Sequence, residues 1–150
     1  MAIYMDFKAK AAGAIKGDAT AANFTDQVVV TSVEFGMGHG QSATSGLATG
    51  KVVAKPLVFS KRLDKASPLL MAVCVSNDIG TTVKFNYVYE GSKHTAYYTV
   101  QLINAMIENY EHKALDDGTA GETVSLSYQK IEWNWVDGGI TALHDLTNQS

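Results

Sequence analysis

Four histidines, one cysteine and one pair of adjacent carboxylates are the side chains here best suited to metal binding or bond making. His39, His94, His112 and His144 lie far apart and form no His-Glu-x-x-His or other tight ligand spacing, so they read as solvated surface histidines. Asp116-Asp117-Gly118 pairs two carboxylates, but a calcium loop needs further oxygen ligands at alternate positions, and the segment reads as a polar turn. Cys74 lies inside an apolar run, where burial raises a thiol's pKa and makes it inert; it reads as a small buried hydrophobe. Gly36-Met-Gly-His-Gly40 could let backbone N–H groups approach a phosphate, yet no helix pattern follows to add its dipole. Gly46-Leu-Ala-Thr-Gly50-Lys51-Val52 misses the Walker spacing by one residue and has Val where Ser or Thr is required. There is no Gly-x-Ser-x-Gly and no recognisable Ser-His-Asp or Cys-His arrangement. The expectation is a protein with no catalytic residues, no cofactor and no metal site.

The elements that carry these residues are mostly strands. Apolar residues alternate rather than recur at every third or fourth position. Strands are predicted at Met1–Lys8, Gln27–Phe35 and Lys51–Phe59, the last bent or placed at an edge because Pro56 cannot donate to a ladder. Val83, Phe85, Tyr87 and Tyr89 share one face of a further strand; Glu90-Gly-Ser-Lys93 then turns the chain into a long run from Ala96 to about Tyr110. A helix is the alternative for Ile103–Tyr110. Val124, Leu126 and Tyr128 are out of phase with Ile131, Trp133 and Trp135, which demands a bulge or burial on both faces. The Gly36–Gly50 stretch reads as a long loop.

One helix is predicted from Pro68 to about Ser76, with Ser67 accepting from the first free backbone N–H groups and Pro68 where a missing donor costs nothing. Residues 69–75 are apolar on every side, so either the parent fold or a neighbouring chain must cover them.

A chain of 150 residues, 46% hydrophobic and 18% charged, has the length and the apolar content of a single folded domain over 1–150. A net charge of −3 without a block of like charges argues against gripping nucleic acid. A lone cysteine excludes an internal disulfide and points to synthesis in a reducing compartment. The start, Met1-Ala-Ile-Tyr-Met-Asp-Phe7, lacks the pattern of a secretory signal, and the longest apolar run is far too short to cross a bilayer, so membrane insertion is not expected.

Particular blocks resemble the Hcp family (haemolysin-coregulated protein), the tube protein of type VI secretion. They are Met1-Ala-Ile-Tyr-Met-Asp-Phe7, Ile15-Lys-Gly-Asp18, Phe35-Gly-Met37 and, most specifically, Lys55-Pro-Leu-Val-Phe-Ser-Lys-Arg-Leu-Asp-Lys-Ala-Ser-Pro-Leu-Leu70. In the family a Phe-x-Lys-x-x-Asp strand runs into Ser-Pro-x-Leu at a helix start, matched here by Phe59, Lys61, Asp64, Ser67, Pro68 and Leu70. The resemblance implies a mainly β fold, a two-sheet barrel-like core with one flanking helix, assembling as a hexameric ring. Its partners would be other copies of itself in stacked rings, a contractile sheath, a spike protein, and small effector proteins in the lumen. The protein would be made and assembled in the cytoplasm, then reach the extracellular space or a target cell without a signal peptide. The tail tube of a phage or other contractile injection particle is the alternative with the same architecture.

The resemblance also places the Gln27–Phe35 strand on the inner wall. Val29, Thr31, Val33 and Phe35 should share one face and Val28, Val30, Ser32 and Glu34 the other, which makes Ser32 and Glu34 the expected cargo-facing residues. Met37, His39, Gln41 and Leu47 in the glycine-rich stretch are the expected contacts to a neighbouring ring or subunit. Leu69, Leu70 and Val73 of the helix are the expected interface between subunits.

Overall fold

The structure is a computed structural model and describes residues 1–41, 48–89 and 95–146. The first half of the chain holds β1 (Ala2–Ala9), β2 (Gly13–Ile15), β3 (Val28–Val30), β4 (Ser32–Glu34), β5 (Met37–Gln41), β6 (Ala48–Ala54), β7 (Leu57–Arg62) and the helix α1 (Ser67–Ser76). The second half holds β8 (Thr81–Val88), β9 (Ala96–Ala114), β10 (Ala120–Ser127), β11 (Lys130–Trp135) and β12 (Ile140–Asp145). The described residues are mainly β, as the alternation requires, with one helix.

Every strand pair is antiparallel, and the main sheet follows the path β2-β1-β8-β9-β10-β7-β4 with its two ends open. β9 holds two layers together. Its first part pairs with β8 and β11, its second with β10. The change of partner falls at Asn104, whose backbone turns left-handed (φ 53°), a conformation that asparagine tolerates better than most residues. Its side-chain amide donates to Gln129 Oε1 at 3.1 Å, in the break between β10 and β11. That break resolves the phase change read in the sequence. Val124 and Leu126 point into the core from β10, the chain resets at Tyr128-Gln129, and Ile131 with Trp133 then points into the same core from β11. Ile103–Tyr110 is strand throughout, so the helical alternative is not adopted.

Apolar positions at every second residue build the core: Ile3, Met5 and Phe7 from β1, Leu57 and Phe59 from β7, Val83 and Phe85 from β8. Phe59 and Phe85 meet across it with ring centroids 5.8 Å apart. Gly17, in the block after β2, lies so close to β3 that a Cβ would sit 2.6 Å from the Val28 backbone, and only glycine fits. The C-terminal end of α1 is fixed by Asn77 in the left-handed conformation (φ 56°). Beyond it the Asp78 carboxylate accepts the Ala11 N–H at 2.9 Å and the Lys10 N–H at 3.3 Å; the Ala11 bond above all holds its pKa below the ordinary carboxylate value.

Four expectations need correction. The stretch 36–50 is not a plain loop: Met37–Gln41 and Ala48–Ala54 pair as a separate two-stranded ribbon. The strand expected at Lys51–Phe59 is two strands broken at Lys55-Pro56, with Tyr128 donating its hydroxyl to the freed Lys55 carbonyl at 3.0 Å. The Gln27–Phe35 strand is likewise broken at Thr31, which donates both its N–H and its hydroxyl to the Ser60 carbonyl, at 2.8 and 2.9 Å. Val28 and Val30 therefore point into the core before the break, and Val33 and Phe35 after it. Ser67 does not cap α1 with its side chain, because its hydroxyl is committed elsewhere.

Candidate functional site

Three surfaces and one buried cluster hold the residues singled out by the sequence. The first surface is the outer face of β4, β7, β10 and the second part of β9. Ser32 and Glu34 are exposed on it because the break at Thr31 turns them away from Val28 and Val30. The strand registers set Ser32 beside Ser60, Thr123 and Glu111 in one cross-strand row, and Glu34 beside Val58, Ser125 and Asn109 in the next. Ser60 and Thr123 share a hydrogen bond at 3.3 Å. Small hydroxyl side chains dominate this wall and carry no aromatic ring, so it stays wetted.

The second surface is the ribbon of β5 and β6. Met37 and His39 are exposed on β5, and with Val52 they border a groove whose other side is Trp133, Leu143 and His144. Two histidines far apart in sequence, His39 and His144, thus line one groove. Among the described residues, however, no three potential metal ligands come together. Gln41 ends β5. Leu47 and His94 lie outside the described residues.

The third surface is the helix. Helical spacing sends Leu70 and Val73 into the chain's own core against β9, so these two are core residues rather than the interface residues expected. Leu69 is 46% exposed and is joined on the open side by Met71 and by Val75, which is 86% exposed. The parent fold covers only one side of the apolar helix. Cys74 is half-buried rather than enclosed, and His112 is exposed near the end of β9.

The buried cluster sits where β7 hands over to α1. Lys61 follows Leu57 and Phe59 on the inward side of β7, and Glu122 precedes Val124 and Leu126 on the inward side of β10, directly opposite in the ladder. Both charged side chains are fully buried and form an ion pair. The Lys61 ammonium also donates to Asp64 Oδ1 at 2.7 Å and to Ser67 Oγ at 3.1 Å. The Ser67 hydroxyl donates to Glu122 at 2.8 Å and accepts the Asp64 N–H at 3.0 Å, while Asp64 Oδ1 takes the Ala66 N–H at 2.9 Å. Tyr110 donates its hydroxyl to the other Glu122 oxygen; burial first, then this carboxylate, holds the phenol well above its ordinary pKa. With every charge paired and hydrogen-bonded, the cluster is a clamp that fixes the start of α1 on β7 and β10. Solvent does not reach its two central groups, so Ser67 and Lys61 serve structure here and not attack on a substrate.

A family model described as "Type VI secretion system effector, Hcp" matches residues 4–135. The chain belongs to the Hcp family. The "Major exported protein" of Pseudomonas aeruginosa is 34% identical over 129 residues, which span 80% of this chain and 75% of that protein. The solved structure of Hcp1 from E. coli EAEC 042 superposes with a TM-score of 0.87 over 97% of this chain and 99% of that one, at 21% identity. Secreted protein Hcp3 from Pseudomonas aeruginosa gives 0.75 over 95% and 98%, at 26% identity. The Hcp pattern read in the sequence, Phe59, Lys61, Asp64 and Ser67, therefore has a physical basis in this fold: Phe59 fills the core and the three polar residues build the clamp. Its fourth partner, Glu122, escaped the sequence reading. The signal was present, because Lys61 and Glu122 each occupy the apolar phase of an alternating strand and carry opposite charge.

Proposed function

We propose that this Hcp-family chain is a structural subunit of a type VI secretion tube. Six copies form a ring, and rings stack into a tube within a contractile sheath and behind a spike protein. Small effectors travel in the lumen, and the subunits leave the cell with the tube. The single observation that carries this reading is the separation of two unlike surfaces on one small fold. The face of Ser32, Ser60, Thr123 and Ser125 is polar and wet, as a channel wall must be, whereas the open side of α1 offers Leu69, Met71 and Val75 for burial. Chains that each carry −3 gain nothing from net attraction, so their association rests on apolar and backbone contacts. The ribbon of β5 and β6, with Met37 and His39 exposed, suits contact with the next ring or subunit.

Glu34 tests the channel wall. Because it is exposed, Glu34→Lys is expected to change the unfolding free energy by less than about 0.5 kcal/mol. The same change places one positive charge per subunit on the wall and alters which effectors are protected and exported. Denaturant titration checks the first part, and secretion assays on a panel of effectors check the second. Unchanged export of every effector would remove Ser32 and Glu34 from the lumen.

A further inference from the structure

The wet face ends in a row that differs from the two described above. Arg62 on β7 is paired in the ladder with Gly121 on β10, and Gly121 with Lys113 on β9, so all three point to the same side as Ser60 and Thr123. Strand spacing sets the Arg62 and Lys113 backbones about 10 Å apart, on either side of a residue with no side chain. The result is an open groove of about 760 Å³ with Gly121 as its floor, Arg62 and Lys113 as its flanks, and Thr31, Ser60 and Thr123 along its inner end.

Both cations are exposed, and among the described residues neither has an acidic partner within ion-pair distance. Glu111, one row away in the register, also lines the groove, and its carboxylate takes a hydrogen bond from the Asn109 amide at 3.3 Å. The neighbouring Lys61 and Glu122 turn their side chains inward, away from solvent, and neutralise each other.

We propose that Arg62 and Lys113 form a subsite for the carboxylates of a short acidic protein segment. Arginine offers two parallel donors to a carboxylate, lysine supplies a second positive charge, and the hydroxyls of Thr31, Ser60 and Thr123 can meet backbone or side-chain polar groups beside it. The ligand must be short. An extended polyanion such as a nucleic acid would run from this row over Glu111 and then Glu34, roughly 7 Å per row, and meet like charge at each. One or two carboxylates match the two cations and can sit at the Arg62–Lys113 row without running on past Glu111. The inference rests on strand register within one chain and does not require the ring; if six copies do close around the wet face, the subsite becomes a basic collar at one end of the channel.

The test is fluorescence anisotropy at low salt with a fluorescein-labelled, C-terminally amidated tetrapeptide of glycine, aspartate, glutamate and glycine. The control peptide replaces the acids by asparagine and glutamine. Saturable binding of the acidic peptide alone is expected, weakened about tenfold or more by Arg62→Gln with Lys113→Gln. Lys8→Gln with Lys16→Gln removes the same net charge elsewhere on the surface and should weaken binding less than about twofold. Equal weakening by the two double variants, equal binding of the two peptides, or no binding to the unaltered protein would each overturn the proposal, as would inorganic pyrophosphate binding more tightly than the acidic peptide. The measurement does not depend on assembly: peptide binding by a protein that native mass spectrometry shows to be monomeric would uphold the subsite and contradict the ring.

Discussion

Replacing Lys61 by methionine is expected to lower the unfolding free energy by about 3–5 kcal/mol, read as a large shift in the guanidinium chloride midpoint at unchanged slope. The methionine fills the volume, so the loss is not a cavity. It arises because Glu122 is left buried without its counter-charge, and because Asp64 and Ser67 lose the ammonium that ties them together at the start of α1. A second change, Glu122→Gln, should recover more than half of the loss, since it removes the orphaned charge, its carbonyl oxygen accepts one of the two hydroxyl protons now given to Glu122, and its amide N–H donates to the oxygen of the other hydroxyl. Strong non-additivity of this kind marks a coupled pair. A loss below about 1 kcal/mol for Lys61→Met, or simple additivity in the double variant, would show that the clamp carries no weight in the fold.

The second large effect concerns assembly and leaves the subunit intact. Leu69 and Val75 lie on the open side of α1, near its beginning and its end respectively. Leu69→Glu places a negative charge in the first turn and Val75→Lys a positive charge in the last, both favourable to the helix dipole. The double variant should therefore fold with near-native stability. If that face is buried between subunits, the two charges forfeit the apolar contact and must be desolvated, and sedimentation velocity should show the complex falling to the 16.1 kDa single chain. A variant that keeps the mass of the unaltered assembly would place the subunit contact elsewhere.

Much of this architecture was legible because period-2 patterning is strong in this chain. β8 follows from alternation, β9 from a run rich in Tyr, Thr, Val and Ile, and α1 from Ser67-Pro68 followed by an apolar run. The ribbon of β5 and β6 was hidden because Gly36-Met-Gly-His-Gly40 has low intrinsic strand preference, and pairing with Val52 and Val53 supplies what propensity withholds. β12 was hidden for a different reason. Gly138 and Gly139 both adopt positive φ, 84° and 63°, and reverse the chain tightly enough for Ile140–Asp145 to pair back on β11, although its own residues scarcely alternate. Ser32 and Glu34 are exposed but do not share a face with Val28 and Val30 as alternation predicts, since a break of one residue at Thr31 inverts the phase and leaves no mark in hydropathy. Leu70 and Val73 were assigned outward because a helix that is apolar on every side gives no direction; only its contact with β9 chooses the buried stripe.

The account stands on the ring. Native mass spectrometry of the purified, unaltered protein, with electron microscopy of the same sample, tests it most directly. The expected result is a species of six times the 16.1 kDa chain mass, seen as rings with six-fold symmetry and an open centre. A protein that stays at the mass of one chain from micromolar to millimolar concentration, with no rings in the images, would contradict it.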